Sequence, residues 1–299
     1  MKSGCLQKSF FGCSFIFLFF FVIIILLFIS SNLPEFDFNS TEQIEKQYII
    51  ELDTLTNENI INSSFSWSLV DNRLKKNKFQ IRFKLLEKDV KEAMDYIERI
   101  AEMGYRELGL EKNYSDPVTE ARIVWAEVYS RIYYHSTSRM NSILEGFNKI
   151  FLAENFDDRD KIYFIITFVQ NIKYGRPGGT LDLFPPLGTI AFRFGDCDSK
   201  VMLLYVILEK MGVDCAMLWS HNYKHAMLGV KVSGRGDFLV ANGKKYYFLE
   251  TTYPNWDIGE ISPEFNNTKF WFISEIDKMQ DKSNQNKSIR ENKPSPSQP

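Results

Sequence analysis

Three residues in the second half of the chain are of types that perform acyl transfer together: Cys197 in "GDCDSK", His225 in "HAMLGV" and Glu250 in "YYFLETTYP". A thiolate attacks a carbonyl carbon, an imidazole takes and returns its proton, and a carboxylate behind the imidazole fixes the tautomer and stabilises the imidazolium. The obstacle is local. Asp196 and Asp198 flank Cys197, and negative neighbours disfavour a thiolate. The residues that follow offer a way round it. "CDSKVMLLYVILEKMG" predicts a helix from Cys197 or Asp198 to Met211, with Gly212 just past its end. That helix is apolar almost all round, so it is central and buried. Cys197 then occupies its first turn, where unpaired N–H groups and the helix dipole favour a thiolate. Asp198 suits the dipole there, and Asp196 suits an N-cap that accepts a backbone N–H. On this reading both aspartates serve the helix end, and a histidine offsets their charge.

The elements after the helix must bring the base and the acid to it. "VDCAMLWS" predicts a strand and "HAMLGVKV" a second, followed by the turn "SGRGD". "DFLVANGKKYYFLETT" carries an Asn-Gly turn signal between two more strands. His225 opens one strand and Glu250 ends a later one. One buried helix followed by strands on short turns is an α+β arrangement with an antiparallel sheet packed on the helix. Upstream, "FSWSLV" and "KFQIRFKLL" predict two strands joined by "DNRLKKN". Helical spacing follows in "EKDVKEAMDYIERIAEMG", in "PVTEARIVWAEVYSRIYYHS" with Pro117 in the first turn, in "SRMNSILEGFNKIFLAEN" and in "DDRDKIYFIITFVQNIKY". "GRPGGTLDLFPPLG", residues 175–188, reads as a long surface loop.

The ordered set "GDCDSKVMLLYVILEKMGVDCAMLW", "HAMLGV" and "YYFLETT" resembles the transglutaminase-like superfamily of papain-like thiol enzymes, its bacterial and archaeal members above all. The similarity runs from about residue 160 to 261, with "IITFVQNIKYG" and "PPLGTIAFRFGDCDSK" similar to the approach to the nucleophile. It implies a papain-like, transglutaminase-like core, with Cys197 as nucleophile, His225 as base and Glu250 as orienting acid. The family's usual third residue is Asp in an Asp-x-Thr pattern, and here Glu250-Thr251-Thr252 stands in its place. By the same analogy Gln170 is an oxyanion-hole candidate beside the Cys197 N–H, and Lys200 matches a structural lysine. The implied activity is on amide bonds of peptides or proteins, with hydrolysis (peptidase or amidase) favoured. Protein-glutamine transglutaminase chemistry is the alternative, because only the acceptor differs. A catalytically silent peptide-binding module, or a scaffold whose strands 65–86 recruit a membrane partner, is the reading from another class.

Other residues have plainer readings. Cys215 lies in an apolar strand and reads as a buried free thiol. No Cys/His spacing suggests zinc and no EF-hand loop is present, so no metal or cofactor is expected. His221 reads as a loop residue that with Tyr223 could line a cleft. Trp219 and Trp256 could wall a groove, and His135 packs on or near a helix. Asp257 is the first substitute if Glu250 is only a strand-end residue.

A formal charge of -2 supplies no basic footprint for nucleic acid. "FFGCSFIFLFFFVIIILLFI", residues 10–29, is uncharged and long enough to span a bilayer. Lys2 and Lys8 precede it and Glu35, Asp37 and Glu42 follow, which places the N-terminus in the cytoplasm and the rest outside. A cleaved signal peptide is the rival reading, with a shorter apolar run and a small-residue cleavage site. The expected organisation is a cytoplasmic tip (1–9), a membrane anchor (10–29), a polar stalk (30–60), a small strand/helix region (61–110), the transglutaminase-like domain (111–277) and a disordered tail (278–299). The expected partners are a peptide or protein substrate and the membrane.

Overall fold

The computed structural model describes residues 45–51, 59–70, 76–110, 114, 116–274 and 276. The expected tip, membrane anchor and tail, and most of the stalk, lie outside the described residues. Among those described, no helix is long and apolar enough to cross a membrane.

Two sheets flank a helical layer. The first holds β1 (Glu45–Glu51), β2 (Ile60–Val70) and β3 (Lys76–Leu86) in the order β1-β3-β2. The β2–β3 pair is the antiparallel hairpin expected from the alternation in "KFQIRFKLL", and Phe79, Ile81, Phe83 and Leu85 are all buried. β1 corrects the expectation of a stalk through residue 60, because it pairs in parallel with β3. Its apolar content is slight, but the alternate residues Lys46, Tyr48 and Ile50 face inward. Ile50 is buried, and Lys46 and Tyr48 both bond the Glu154 carboxylate. Gly146 permits this approach, since a Cβ there would lie 2.5 Å from Ile50 Cγ2.

The helices follow in order as α1 (Glu87–Glu102), α2 (Tyr105–Leu108), α3 (Pro117–Thr137), α4 (Asn141–Glu154) and α5 (Asp158–Gln170). Asp116 caps α3 by accepting from Val118 N and Thr119 N, with Pro117 in the first turn as expected. Phe164 and Phe168 of α5 pack edge-on or tilted against Phe65, Trp67, Phe79, Phe83 and Phe147. Such pairs add about 0.5–1.5 kcal/mol each beyond area burial. They run one apolar core through the expected boundary at residue 110, so strands and helices on either side of it share that core.

β4 (Lys173–Tyr174) and β5 (Phe194–Gly195) pair in parallel around α6 (Pro186–Phe192). Here the sequence reading needs correction. Only the first half of the 175–188 segment is surface loop, whereas residues 183–188 are buried and Pro186 starts a helix at its first position. The Pro-Pro pair reads as loop chemistry, but a proline at the start of a helix costs no hydrogen bond.

α7 (Cys197–Lys210) is the central helix, and residues 201–208 are each no more than 2% exposed. It ends as expected at Gly212, which has φ +82°. The second sheet is antiparallel throughout, in the order β10-β6-β7-β9-β8, from β6 (Cys215–Ser220), β7 (His225–Val230), β8 (Phe238–Ala241), β9 (Lys244–Leu249) and β10 (Phe272–Ser274). Asn242 (φ 49°) and Gly243 (φ 73°) make the β8–β9 turn, the left-handed pair that a two-residue hairpin requires. A buried helix packed on an antiparallel sheet is the α+β arrangement expected.

Candidate active site

Cys197 begins α7 because Asp196 caps the helix. The Asp196 carboxylate accepts from Ser199 N at 2.9 Å and from Ser199 Oγ at 2.5 Å, and Ser199 Oγ in turn accepts from Phe184 N at 2.7 Å. The expected capping role of Asp196 therefore holds, and it fixes the turn that carries the thiol. Gly195 makes this turn tight, since a Cβ there would lie 2.8 Å from Ser199 Cβ.

The β7–β9 pairing brings His225 to Glu250. Leu228 pairs with Leu249, which sets the start of β7 beside the residues just past β9. His225 Nε2 lies 2.8 Å from Glu250 Oε2, so one of the two carries the shared proton. The other carboxylate oxygen, Oε1, accepts from Thr251 N and Thr252 N at 2.8 Å and from Thr252 Oγ1 at 2.7 Å. Burial would raise the Glu250 pKa, but the His225 hydrogen bond and charge and the Thr252 donors outweigh it, so the acid is held below its ordinary range. The hydroxyl two residues after the acid thus has a physical role, to donate to the carboxylate that faces the imidazole. With Nε2 committed to the acid, Nδ1 is the nitrogen that can serve a thiol.

The thiol meets this pair at β7. The Ala226 N–H, next in the chain to His225, points to the sulfur and favours its charged form. Yet the hydrogen bond that the thiol makes is to Asp198 Oδ2, at 3.5 Å. Asp198 also accepts from the Tyr129 hydroxyl of α3, and it lies within electrostatic reach of His225. Burial first, then Asp198 and Asp196, push the Cys197 pKa well up, and the Ala226 N–H acts against them. Burial and Asp198 likewise raise Asp196 to about 6, and burial raises Asp198. This corrects the expectation that both aspartates merely serve the helix end. Asp198 faces the sulfur and opposes its ionisation. Tyr129 had no sequence signal, because its partner lies 69 residues away.

Gln170 is not placed as an oxyanion donor. It is 2% exposed, and its Nε2 donates at 2.9 Å to both Glu250 O and Trp256 O, which commits both amide hydrogens. It holds the main chain of the acid instead. Lys200, one turn after the cysteine, is fully buried and donates to Gln170 O (3.1 Å), Ile172 O (2.7 Å) and Thr252 O (3.3 Å). The matched lysine is therefore a strut between α7, the end of α5 and the Glu250 loop, and burial lowers its pKa to about 7.

The remaining candidates divide. Phe265 stacks on the His225 ring at 4.8 Å, and Trp271 stands edge-on at 6.1 Å. Tyr223 packs on Phe265, Phe270 and Trp271, so it belongs to this aromatic wall, whereas His221 is exposed on the preceding turn. Trp219 is buried against Phe272 and walls no groove. Trp256 and Asp257 line a separate cleft of about 640 Å³ with Arg159 and Tyr163. His135 stacks on Tyr96 at 3.8 Å, as a helix-packing residue would. Cys215 is a buried free thiol. Asp196, Cys197 and Asp198 could offer ligand atoms within 4.8 Å of one another. The carboxylates are already engaged with Ser199 and Tyr129, so the geometry fits a thiol site at least as well as a metal.

No protein-family model matches this chain, and no curated protein matches it. A solved structure, a candidate cysteine protease from Cytophaga hutchinsonii, is 11% identical, with 67% of this chain and 68% of that chain covered and a TM-score of 0.25. A TM-score that low carries no argument about fold or activity.

Proposed function

We propose that the chain is a thiol enzyme acting on amide bonds of peptides or proteins, with Cys197 as nucleophile, His225 as base and Glu250 as orienting acid. The observation that carries this reading is the 2.8 Å His225–Glu250 contact beside a cysteine at the first turn of a buried helix. His225 takes the thiol proton, and the thiolate attacks the carbonyl carbon. The Cys197 N–H has no intrahelical partner at that position and is the candidate donor to the oxyanion. The imidazolium then protonates the leaving amine. The imidazole afterwards activates the acceptor, which breaks the thioester. Water as acceptor makes a peptidase or amidase and is favoured; an amine makes a transglutaminase.

The test is a mixed peptide pool, with and without an added primary amine, read by mass spectrometry for cleaved ends and amine adducts. Products formed by the natural chain and absent with Cys197→Ala support the reading. Equal products from both proteins would overturn it. We also propose that residues 10–29 anchor the chain with its catalytic part outside the cytoplasm, supported by the uncharged run and the lysines before it. A reporter fused after Pro299 should be active only outside the cytoplasm, and cytoplasmic activity would contradict this orientation.

A further inference from the structure

A thiol enzyme of this kind needs its cysteine to face the imidazole, yet here the thiol hydrogen bond goes to a carboxylate. Cys197 Sγ lies 3.5 Å from Asp198 Oδ2, and the Tyr129 hydroxyl holds the other carboxylate oxygen from across α3. A carboxylate pinned on one oxygen by a buried phenol cannot swing away freely, so its second oxygen stays at the sulfur. Groups from several elements bear on its charge. Asp196 and Asp198 face it from α7, Tyr129 from α3 through Asp198, Tyr174 from β4, and His225 with the Ala226 N–H from β7. On α7 it is the Asp198 carboxylate that accepts the hydrogen bond from the sulfur.

We infer that Asp198, braced by Tyr129, is a positioning residue that stores the nucleophile as a neutral thiol by accepting its hydrogen bond, so that Cys197 ionises only when that bond is exchanged for one to His225. In the exchange the S–H bond breaks, its electron pair stays on sulfur, the proton goes to His225 Nδ1, and Asp198 remains a carboxylate. The device keeps the thiol from reacting with stray electrophiles and oxidants, because the thiolate is the reactive form. It gives the acidic flanks of "GDCDSK" a use that helix capping does not. It rests on Cys197 being the nucleophile, but its test reads thiol chemistry and needs no substrate.

The experiment is the rate of iodoacetamide alkylation against pH, resolved by peptide mapping, on the whole chain. Cys215 is as buried as Cys197 (7% against 6% exposed) and lies away from Asp198, so a rise in its rate between the natural chain and a variant reports opening of the fold. Asp198→Asn should move the Cys197 midpoint to lower pH and speed its alkylation at neutral pH by about tenfold or more, the equivalent of one pKa unit. Asp198→Glu, which keeps the charge, should leave the midpoint high. In both, Cys215 should stay slow. If Asn opens the fold and Cys215 reacts, Asp198→Ser removes the same charge with less bulk and should give the same downward shift. A Cys197 midpoint that is unchanged or higher in the neutral variant, with Cys215 still slow, would overturn the inference. Failure here leaves the proposed function standing, since that reading falls only if Cys197→Ala keeps full turnover.

Discussion

His225 and Glu250 sit on the β7–β9 side of the α7 N-terminus with both carboxylate oxygens engaged, whereas Cys197 sits on the helix itself among groups that oppose its charge. The acid on the sheet side is depressed by donors, whereas on the helix side Asp198 is raised by burial and Asp196 by burial and by Asp198. The two halves teach different things about one constellation. The His225–Glu250 half is held in place by Gln170, Lys200 and Thr252, so on the proposed function its value lies in geometry set before substrate arrives. The nucleophile half is held in its uncharged form, so its reactivity depends on which partner the thiol faces.

The largest effect should come from breaking the sheet side. His225→Ala removes the proton acceptor and should lower turnover by about four orders of magnitude or more. Glu250→Gln should cost less, about two orders, since a thiol is intrinsically easier to ionise than a serine hydroxyl. Steady-state rates on one peptide decide between them. Equal losses would mean that the imidazole depends wholly on its acid, and no loss in Glu250→Gln would reduce that residue to a strand end.

The strut comes next. Lys200 carries a folded-state pKa of about 7, below the ordinary lysine value of 10.5. Between pH 7 and 10.5 the unfolded chain therefore binds more protons, and stability rises with pH across that window. The rise is at most about 5 kcal/mol, and the three carbonyl acceptors, which bind the charged form, reduce it. Lys200→Met should flatten it, which denaturant unfolding at pH 7 and at pH 10 would reveal. A slope that survives the substitution would assign it elsewhere.

The smallest effect sharpens the contrast between the acids. Asp196, raised to about 6, favours the folded state below its unfolded value of 3.8, and that contribution is lost as pH rises to 6. Glu250, lowered below 4.5, contributes above that value and loses its contribution as pH falls through the depressed pKa. Asp196→Asn, which can still cap, should therefore remove a decline in stability with rising pH between about 4 and 6. Glu250→Gln should remove a loss on acidification. Two substitutions with the same sign of slope would show that the halves do not differ as described.

How far the sequence reaches follows from the range of each interaction. The α7 helix, its Asp196 cap, the Asn242-Gly243 turn and the β2–β3 hairpin were legible because each is set by residues within a few positions. Cys197, His225 and Glu250 stood out because three residue types in order pointed to one chemistry, and the structure brings His225 Nε2 to 2.8 Å from Glu250 Oε2. What was missed is nonlocal. Asp198 reads as a helix-end residue until Tyr129 is brought to it from α3. Gln170 reads as a donor to substrate until Glu250 O and Trp256 O occupy its amide. β1 reads as stalk because its burial depends on Glu154 and Gly146, about a hundred residues on.

The most direct measurement of the site is covalent. A peptide vinyl sulfone, a trap for an activated cysteine, is incubated with the chain, and the modified residue is found by peptide mapping. The adduct should fall on Cys197, with Cys215 unmodified, and should be lost in His225→Ala. An adduct equally distributed over both cysteines, or one on Cys197 that forms as fast without His225, would contradict a thiol activated by the His225–Glu250 pair.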